Sequence, residues 1–337
     1  MNCSMQPPSP DRIMQSSLAA HAVAATMAAA CQHRLFTHIE AGAATLDQIA
    51  TRAGISRRGA QALLDALVAL GFVRVRDGRY TNAEDASFYL VEGQPAYLGA
   101  HAQLTHSPFG DAFRDLADVA RTGVPRFQYT ADTADNEFWE DLVLAIVPLA
   151  IPVVEVLLKS DLAQKDGLSL LDIGGGSGVY SAFVLQKNAT ARATQIDWPN
   201  VNRIGRAFVD RFGVGTRFTT IDGDFHTTDF GESAYDLVVL SNICHQESPQ
   251  DNVALFSRVR RALKPGGALV LSEFLLEDDR TAAFPWCGIF HVFMLIQTKE
   301  GAAWRKTDFR SWLKEAGFTS IELEGTPTPS TLVWARE

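Results

Sequence analysis

The residues best suited to chemistry begin in one stretch, Leu168 to Val201, LSLLDIGGGSGVYSAFVLQKNATARATQIDWPNV. Leu168 to Ile173 is a short apolar run bounded by turn residues and predicts a buried strand. Gly174, Gly175, Gly176, Ser177 and Gly178 predict a loop that turns sharply and lets the backbone approach a ligand. Val179 to Lys187 has helical spacing, and Ala191 to Ile196 reads as a second strand ending at Asp197. Such a unit carries a nucleotide site at the carboxyl ends of its strands. A dinucleotide fingerprint needs a third Gly or Ala, and the two places where it would fall hold Val179 and Ser181. Asp172 beside the loop would repel a pyrophosphate but suits an ammonium group. Asp197 is spaced to accept hydrogen bonds from both ribose hydroxyls. An acidic, glycine-rich, acidic order fits S-adenosylmethionine better than NAD.

DIGGGSG and IDWPNV are joined further on by GDF (Gly223 to Phe225) and LKPGG (Leu263 to Gly267). With these four motifs and its domain order, nearly the whole chain resembles the class I S-adenosylmethionine-dependent methyltransferases of the caffeate and hydroxyindole O-methyltransferase group, with its bacterial natural-product members. The resemblance implies an α/β fold: a Rossmann-like seven-stranded methyltransferase domain, mostly parallel with one antiparallel strand, preceded by a helical winged-helix dimerisation domain. It implies a cofactor site of Asp172, the four loop glycines, Asp197, Trp198, Asp224, Phe225 and Ser241. Asp224 would receive the adenine amino group and Phe225 would cover the ring. His245, just past the predicted strand Tyr235 to Ser241, matches the family's general base, a role suited to a side chain that titrates near neutrality. Gln246 and Glu247 stand where members often carry Asp-Trp, and Ala302 to Lys306 has no acidic residue where many carry the Glu that orients the base. The acceptor pocket would be lined by Phe138, Trp139, Asn242, His291 and Met294.

His291 also opens a metal option with His245, because neutral imidazole is a common ligand, and Cys287 would share its helix face. That option accompanies an alternative activity, C- or S-methylation of a small 2-oxo or 2-hydroxy acid, with Arg126 and Arg305 as carboxylate partners. O-methylation of a small molecule is the leading expectation.

The supporting elements follow in order. Residues 1 to about 10 read as disordered, and helices follow from Ile13 to Ile39. Thr45 to Ala53 and Ser56 to Leu70 form a helix pair, with Ser56 as N-cap. A hairpin turns at Asp77-Gly78 and completes a winged helix. Ala96 to Gly123 is helical, Phe127 to Asp135 is turn-rich, and Asn136 to Leu158 is a long apolar helix broken at Pro148 and Pro152. The expected domains are 1–100 for dimerisation, 101–164 as a helical linker along the pocket, and 165–337 for the cofactor.

Composition narrows the function. Among 337 residues, 47% are hydrophobic and the net charge is −9, so nothing drives the chain as a whole toward nucleic acid or an anionic membrane. The first 100 residues hold eight basic and eight acidic side chains, which sets dimerisation above a DNA-binding regulator. The four cysteines show no CxxC spacing, so a reducing, cytoplasmic setting is expected. The N-terminus lacks a signal-peptide pattern, and Leu18 to Cys31 is too short to span a membrane. The expected partners are a small-molecule acceptor and a second copy of the chain.

Overall fold

The computed structural model describes residues 9–94, 96–126, 137–279 and 284–337; the side chains of Glu137, Phe138 and Asp141 lie outside that set. Most of the segment expected to be disordered, and all of Phe127 to Asp135, also lie outside it. The described chain divides into two compact units, Met1–Asp111 and Ala112–Glu337. The segment expected as a separate linker is thus shared between them.

In the first unit, Leu46–Ala53 and Arg57–Ala69 are the expected helix pair. Thr45 caps the first helix in a reciprocal capping box with Gln48, and the Ser56 side chain caps the second by accepting from the Gly59 N–H. Gly54 closes the first helix at φ +66°, a left-handed conformation that favours glycine. Strands β1 (Val73–Arg76) and β2 (Arg79–Asn82) pair antiparallel across a turn in which Asp77 and Gly78 both have positive φ. Leu35, Phe36, Ile49, Leu64 and Leu67 are fully buried beneath these elements. Asp11–Gln15 and Leu18–Gln32 together run 22 residues and reach the length and apolarity of a membrane span, a test that soluble core helices also pass. Ile13, Met14 and Leu18 on this run are largely exposed.

The second unit is built on strands β3 (Ser169–Ile173), β4 (Arg192–Asp197), β5 (Phe218–Asp222), β6 (Tyr235–Ser241), β7 (Leu263–Glu273), β8 (Ser320–Gly325) and β9 (Thr331–Arg336). Their order is β5-β4-β3-β6-β7-β9-β8, and β9 runs opposite to the other six strands. The chain winds outward from β3 to β5, then returns to β6 on the other side of β3. That reversal opens a crevice at the carboxyl ends of β3 and β6. Strands β3 and β6 are almost wholly buried, as expected when helices cover both faces.

Several boundaries differ from expectation for local reasons. The helix Pro249–Ala262 starts with proline in its first turn, which proline suits, and is capped by Ser248. The apolar segment before β3 breaks at Ile146, between helices Glu137–Ala145 and Val147–Leu157. Pro148 therefore lies in the first turn of the second helix, and Pro152 sits inside it without ending it.

The entrance to β6 rests on one buried carboxylate. Asp236 is 2% exposed and accepts from Lys165 Nζ (2.6 Å), Lys264 Nζ (2.9 Å) and the Ser169 N–H (2.8 Å). Burial alone would raise its pKa, but the three donors outweigh it and hold the carboxyl below its ordinary value. A depressed acid contributes stability that is present above the unfolded pKa and is lost as pH falls through the folded one. Asp236→Asn should therefore cost about 1–3 kcal/mol at neutral pH. In urea titrations, its deficit from wild type should shrink as pH falls below about 4.

Candidate active site

The crevice floor is a short backbone course held by side chains from β4. Gly174, Gly176 and Gly178 have φ of +60°, +57° and +72°, a sequence of left-handed residues that only glycine adopts without strain. Gly175 is required for a different reason. A Cβ there would lie 2.6 Å from Gln195 Oε1 and 2.8 Å from Asp172 Cγ. Gln195, fully buried on β4, donates to the Gly176 carbonyl (3.2 Å) and to Asn202 Oδ1 (3.1 Å). Asn202 in turn donates to the Asp197 and Ile221 carbonyls, tying the ends of β4 and β5 together. Sequence reasoning missed both amides, which are polar residues at positions that pattern alone assigns to a strand and a helix.

The two acidic residues meet this loop as expected. Asp197 accepts from the Gly176 N–H (2.9 Å) and the Trp198 N–H (2.8 Å). Asp172 is fully buried; Oδ2 accepts from Ser181 (2.8 Å), while Oδ1 has no hydrogen-bond partner. Burial pushes both carboxyls up to about 6. An orphaned buried carboxylate oxygen beside a glycine cradle is an open demand for a cationic or N–H donor. A ligand with an ammonium group and a ribose diol meets the demands of Asp172 and Asp197, so the residues fit S-adenosylmethionine. Asp224 and Phe225 follow β5 in a turn stabilised by bonds from the Thr227 and Thr228 main chains to the Asp224 carbonyl. Ser241 ends β6, and Asn242 beside it adopts φ +57°.

His245 lies in a short 3-10 turn, Cys244–Gln246, and is only 7% exposed. Its Nδ1 is 2.7 Å from Oε2 of Glu273, the last residue of β7, whose Oε1 accepts from the Cys244 N–H (2.8 Å). The acid bonded to His245 is therefore Glu273, not a residue of Ala302 to Lys306. That stretch still holds the turn through main-chain and indole groups: Ala302 N–H donates to the His245 carbonyl (2.9 Å) and Trp304 Nε1 to the Cys244 carbonyl (3.2 Å). Asn252, fully buried, donates to the Cys244 carbonyl from below (2.9 Å). The buried Cys244 thiol is held well above its ordinary pKa by burial and by the charges of Glu273 and Glu247.

Aromatic rings crowd the same neighbourhood. Phe290 meets the His245 ring edge-on at 4.8 Å, and Phe274 and Trp286 pack on Phe290 at 4.8 and 5.9 Å. Met294 is buried with Phe290 and Ala303 in this cluster. His291 is exposed on the same helix, Pro285–Gln297, and desolvation and Arg305 lower its pKa. Trp139 is half-buried on helix Glu137–Ala145, and the Phe138 side chain lies outside the described residues. Cys287 does not join His291 in a ligand set; its thiol is buried and donates to the Pro329 carbonyl. Among the described residues, no group of three or more His, Cys, Asp or Glu side chains is placed to hold a metal ion. Arg126 is paired with Asp118, while Arg305 Nε is buried without a hydrogen-bond partner.

A seven-stranded sheet with this reversal, cradle and acid pair is that of a class I S-adenosylmethionine-dependent methyltransferase. Comparison with known proteins agrees. Residues 110–319 match the O-methyltransferase domain model, and residues 16–92 match the O-methyltransferase dimerisation domain model. The chain belongs to the O-methyltransferase family, and its cofactor is S-adenosylmethionine. It is 28% identical over 308 residues to 3-hydroxy-5-methyl-1-naphthoate 3-O-methyltransferase of Streptomyces sahachiroi, covering 88% of this chain and 86% of that one. It is also 28% identical over 334 residues to the tetracenomycin polyketide synthesis 8-O-methyl transferase of Streptomyces glaucescens, covering 97% of each. The crystal structure of human N-acetylserotonin methyltransferase in complex with S-adenosylmethionine shares the fold, with a TM-score of 0.86, 23% identity, and coverage of 100% of this chain and 99% of that one.

Gly175→Ala should weaken S-adenosylhomocysteine binding about tenfold or more by calorimetry, because backbone and Gln195 must both shift. Binding should also weaken below about pH 6, where Asp172 and Asp197 gain protons. For the free enzyme the sign is opposite. Acids with raised pKa values stabilise the fold at low pH, and that contribution is lost as pH rises through about 6.

Proposed function

We propose that this enzyme methylates a hydroxyl of a small aromatic acceptor, with His245 as general base and Glu273 as its orienting acid. The observation that carries the reading is the buried 2.7 Å contact between His245 Nδ1 and Glu273 Oε2. It commits Nδ1 to the carboxylate and leaves Nε2 to take a proton. Glu273, itself 1% exposed, is fixed by the Cys244 N–H and offsets the charge that His245 gains. S-adenosylmethionine, when bound, supplies an electrophilic sulfonium methyl. The protein's own part is to receive the hydroxyl proton at His245 and to hold the acceptor oxygen in line.

The edge-on contact of Phe290 with His245, with Phe274 and Trp286 behind it, favours a flat aromatic acceptor. The names of the Streptomyces naphthoate and polyketide enzymes point the same way. Asp172, Gly174, Gly175, Gly176, Gly178, Asp197, Trp198, Asp224, Phe225 and Ser241 form the cofactor site in this reading, and Trp139, Asn242, His291 and Met294 border the acceptor. The dimerisation domain supports a homodimer, for which the exposed Ile13, Met14 and Leu18 offer apolar surface. Free, buried Cys31, Cys244 and Cys287 suit a reducing cytoplasm.

His245→Ala should lower kcat about 10²- to 10⁴-fold against a panel of hydroxylated aromatics, with S-adenosylhomocysteine affinity little changed. Glu273→Gln should lower kcat about tenfold or more. Full activity of His245→Ala on its best acceptor would overturn the base assignment.

A further inference from the structure

His226 follows the expected adenine-binding pair Asp224-Phe225, yet no step above uses it. Its main-chain N–H donates to Asp224 Oδ1 (2.8 Å), and its ring Nδ1 lies 2.6 Å from the same oxygen. At the other end of the ring, Nε2 lies 2.9 Å from Oε2 of Glu247, a buried residue two positions beyond His245. The imidazole also stacks on Phe225, with centroids 4.2 Å apart and planes 29° apart. Carboxylates at both nitrogens select the doubly protonated ring, which alone donates at both ends. The hydrogen bond to Glu247 is the largest cause that raises its pKa to about 9; partial burial opposes it, and the charges of Glu247 and Asp224 add to it.

A further cation faces this turn, with Asp229 and Arg261 among the charges that act on it. Arg258, from the helix Pro249–Ala262, donates through Nη1 to the Phe225 (2.8 Å) and His226 (2.9 Å) carbonyls and through Nη2 to the Thr228 carbonyl. Its guanidinium lies over the Phe230 ring at 4.2 Å. Arg258 thus fixes the backbone of the turn, while His226 connects the turn's side chains to the segment that carries His245. Glu247 is also one of the two positions where the chain departs from the family's usual Asp-Trp.

We propose that His226 is a positioning residue whose cationic bridge between Asp224 and Glu247 fastens the adenine-binding turn to the base-bearing turn, so that seating of the cofactor and alignment of His245 are set together. The proposal rests on the reading of Asp224-Phe225 as the adenine site and of His245 as the base. By occupying Oδ1 of Asp224, the bridge leaves Oδ2 to accept a cofactor amino group. By bonding Glu247, it restrains the chain just past the base. A raised histidine contributes stability fully below its unfolded pKa, and that contribution is lost as pH rises through about 9.

The test compares wild type with His226→Phe, which keeps a flat ring on Phe225, and with Glu247→Gln, which keeps the hydrogen-bonding shape but removes a charge. S-adenosylhomocysteine binding is measured by calorimetry at about pH 7 and about pH 10, kcat at saturating cofactor, and the His226 titration by NMR. At the lower pH, both variants should bind S-adenosylhomocysteine about tenfold more weakly, and both should lose kcat at saturation. Wild type should approach His226→Phe at the higher pH; the ligand's own amino group titrates alike in both, so the convergence reports His226. The NMR pKa of His226 should fall in Glu247→Gln. Wild-type affinity and kcat in His226→Phe would overturn the proposal, as would a loss of affinity with kcat intact, since that severs the link to the base. Asp224→Ala separates the underlying reading: unchanged binding there removes the adenine assignment itself, whereas weak binding there with normal binding in His226→Phe removes only the bridge.

Discussion

A carboxylate placed where water cannot reach it must find donors, or its neighbours will move until it does. Glu273 is that group here. It ends β7, the strand hydrogen-bonded to β6 on one side and β9 on the other, and its two oxygens take the Cys244 N–H and the His245 ring. The pairing of Ser241 with Ser272 brings residue 273 level with the chain leaving β6, so sheet register decides where the acid arrives. The rest of the turn that carries His245 is arranged around that demand: Asn252, Trp304 and Ala302 donate to the carbonyls that the turn exposes.

The cofactor half of the crevice obeys a complementary constraint. There one oxygen of Asp172 lacks a partner, and the left-handed glycine loop is held by Gln195, itself bonded to Asn202. Burial raises Asp172 and Asp197 because part of their solvation has been surrendered before any ligand arrives. The site is thus preorganised for positive charge, and some fold stability at neutral pH is relinquished for it.

These two halves differed in how far the sequence disclosed them. The glycine loop, Asp197 and the span of β6 were legible because their signals are local: turn residues, a strand of buried apolar side chains and a fixed spacing between them. The seven strands and the one antiparallel member came with the family resemblance, whereas the order of strands in the sheet is read only from the structure. Glu273 was invisible as a partner because it sits in ALVLSEF, which reads only as a buried strand, and its role depends on register between strands. The same blindness hid Gln195, Asn202 and the link from His226 to Glu247, which joins positions 21 residues apart. Pro152 failed in the opposite direction: a strong local breaker was absorbed by a helix whose other backbone bonds and packing into the sheet's core persist.

Cys244 adjoins His245 on a chain whose cofactor is an alkylating reagent. A thiolate is a far better nucleophile than a phenol or alcohol, and in such company it would compete for the methyl group. Burial and two neighbouring carboxylates keep Cys244 a thiol far into the alkaline range, and burial likewise pushes the Tyr180 phenol up to about 12. Glu273 and Glu247, the carboxylates bonded to His245 and His226, therefore also keep the neighbouring sulfur in its less nucleophilic thiol form on a chain whose cofactor is a methylating agent.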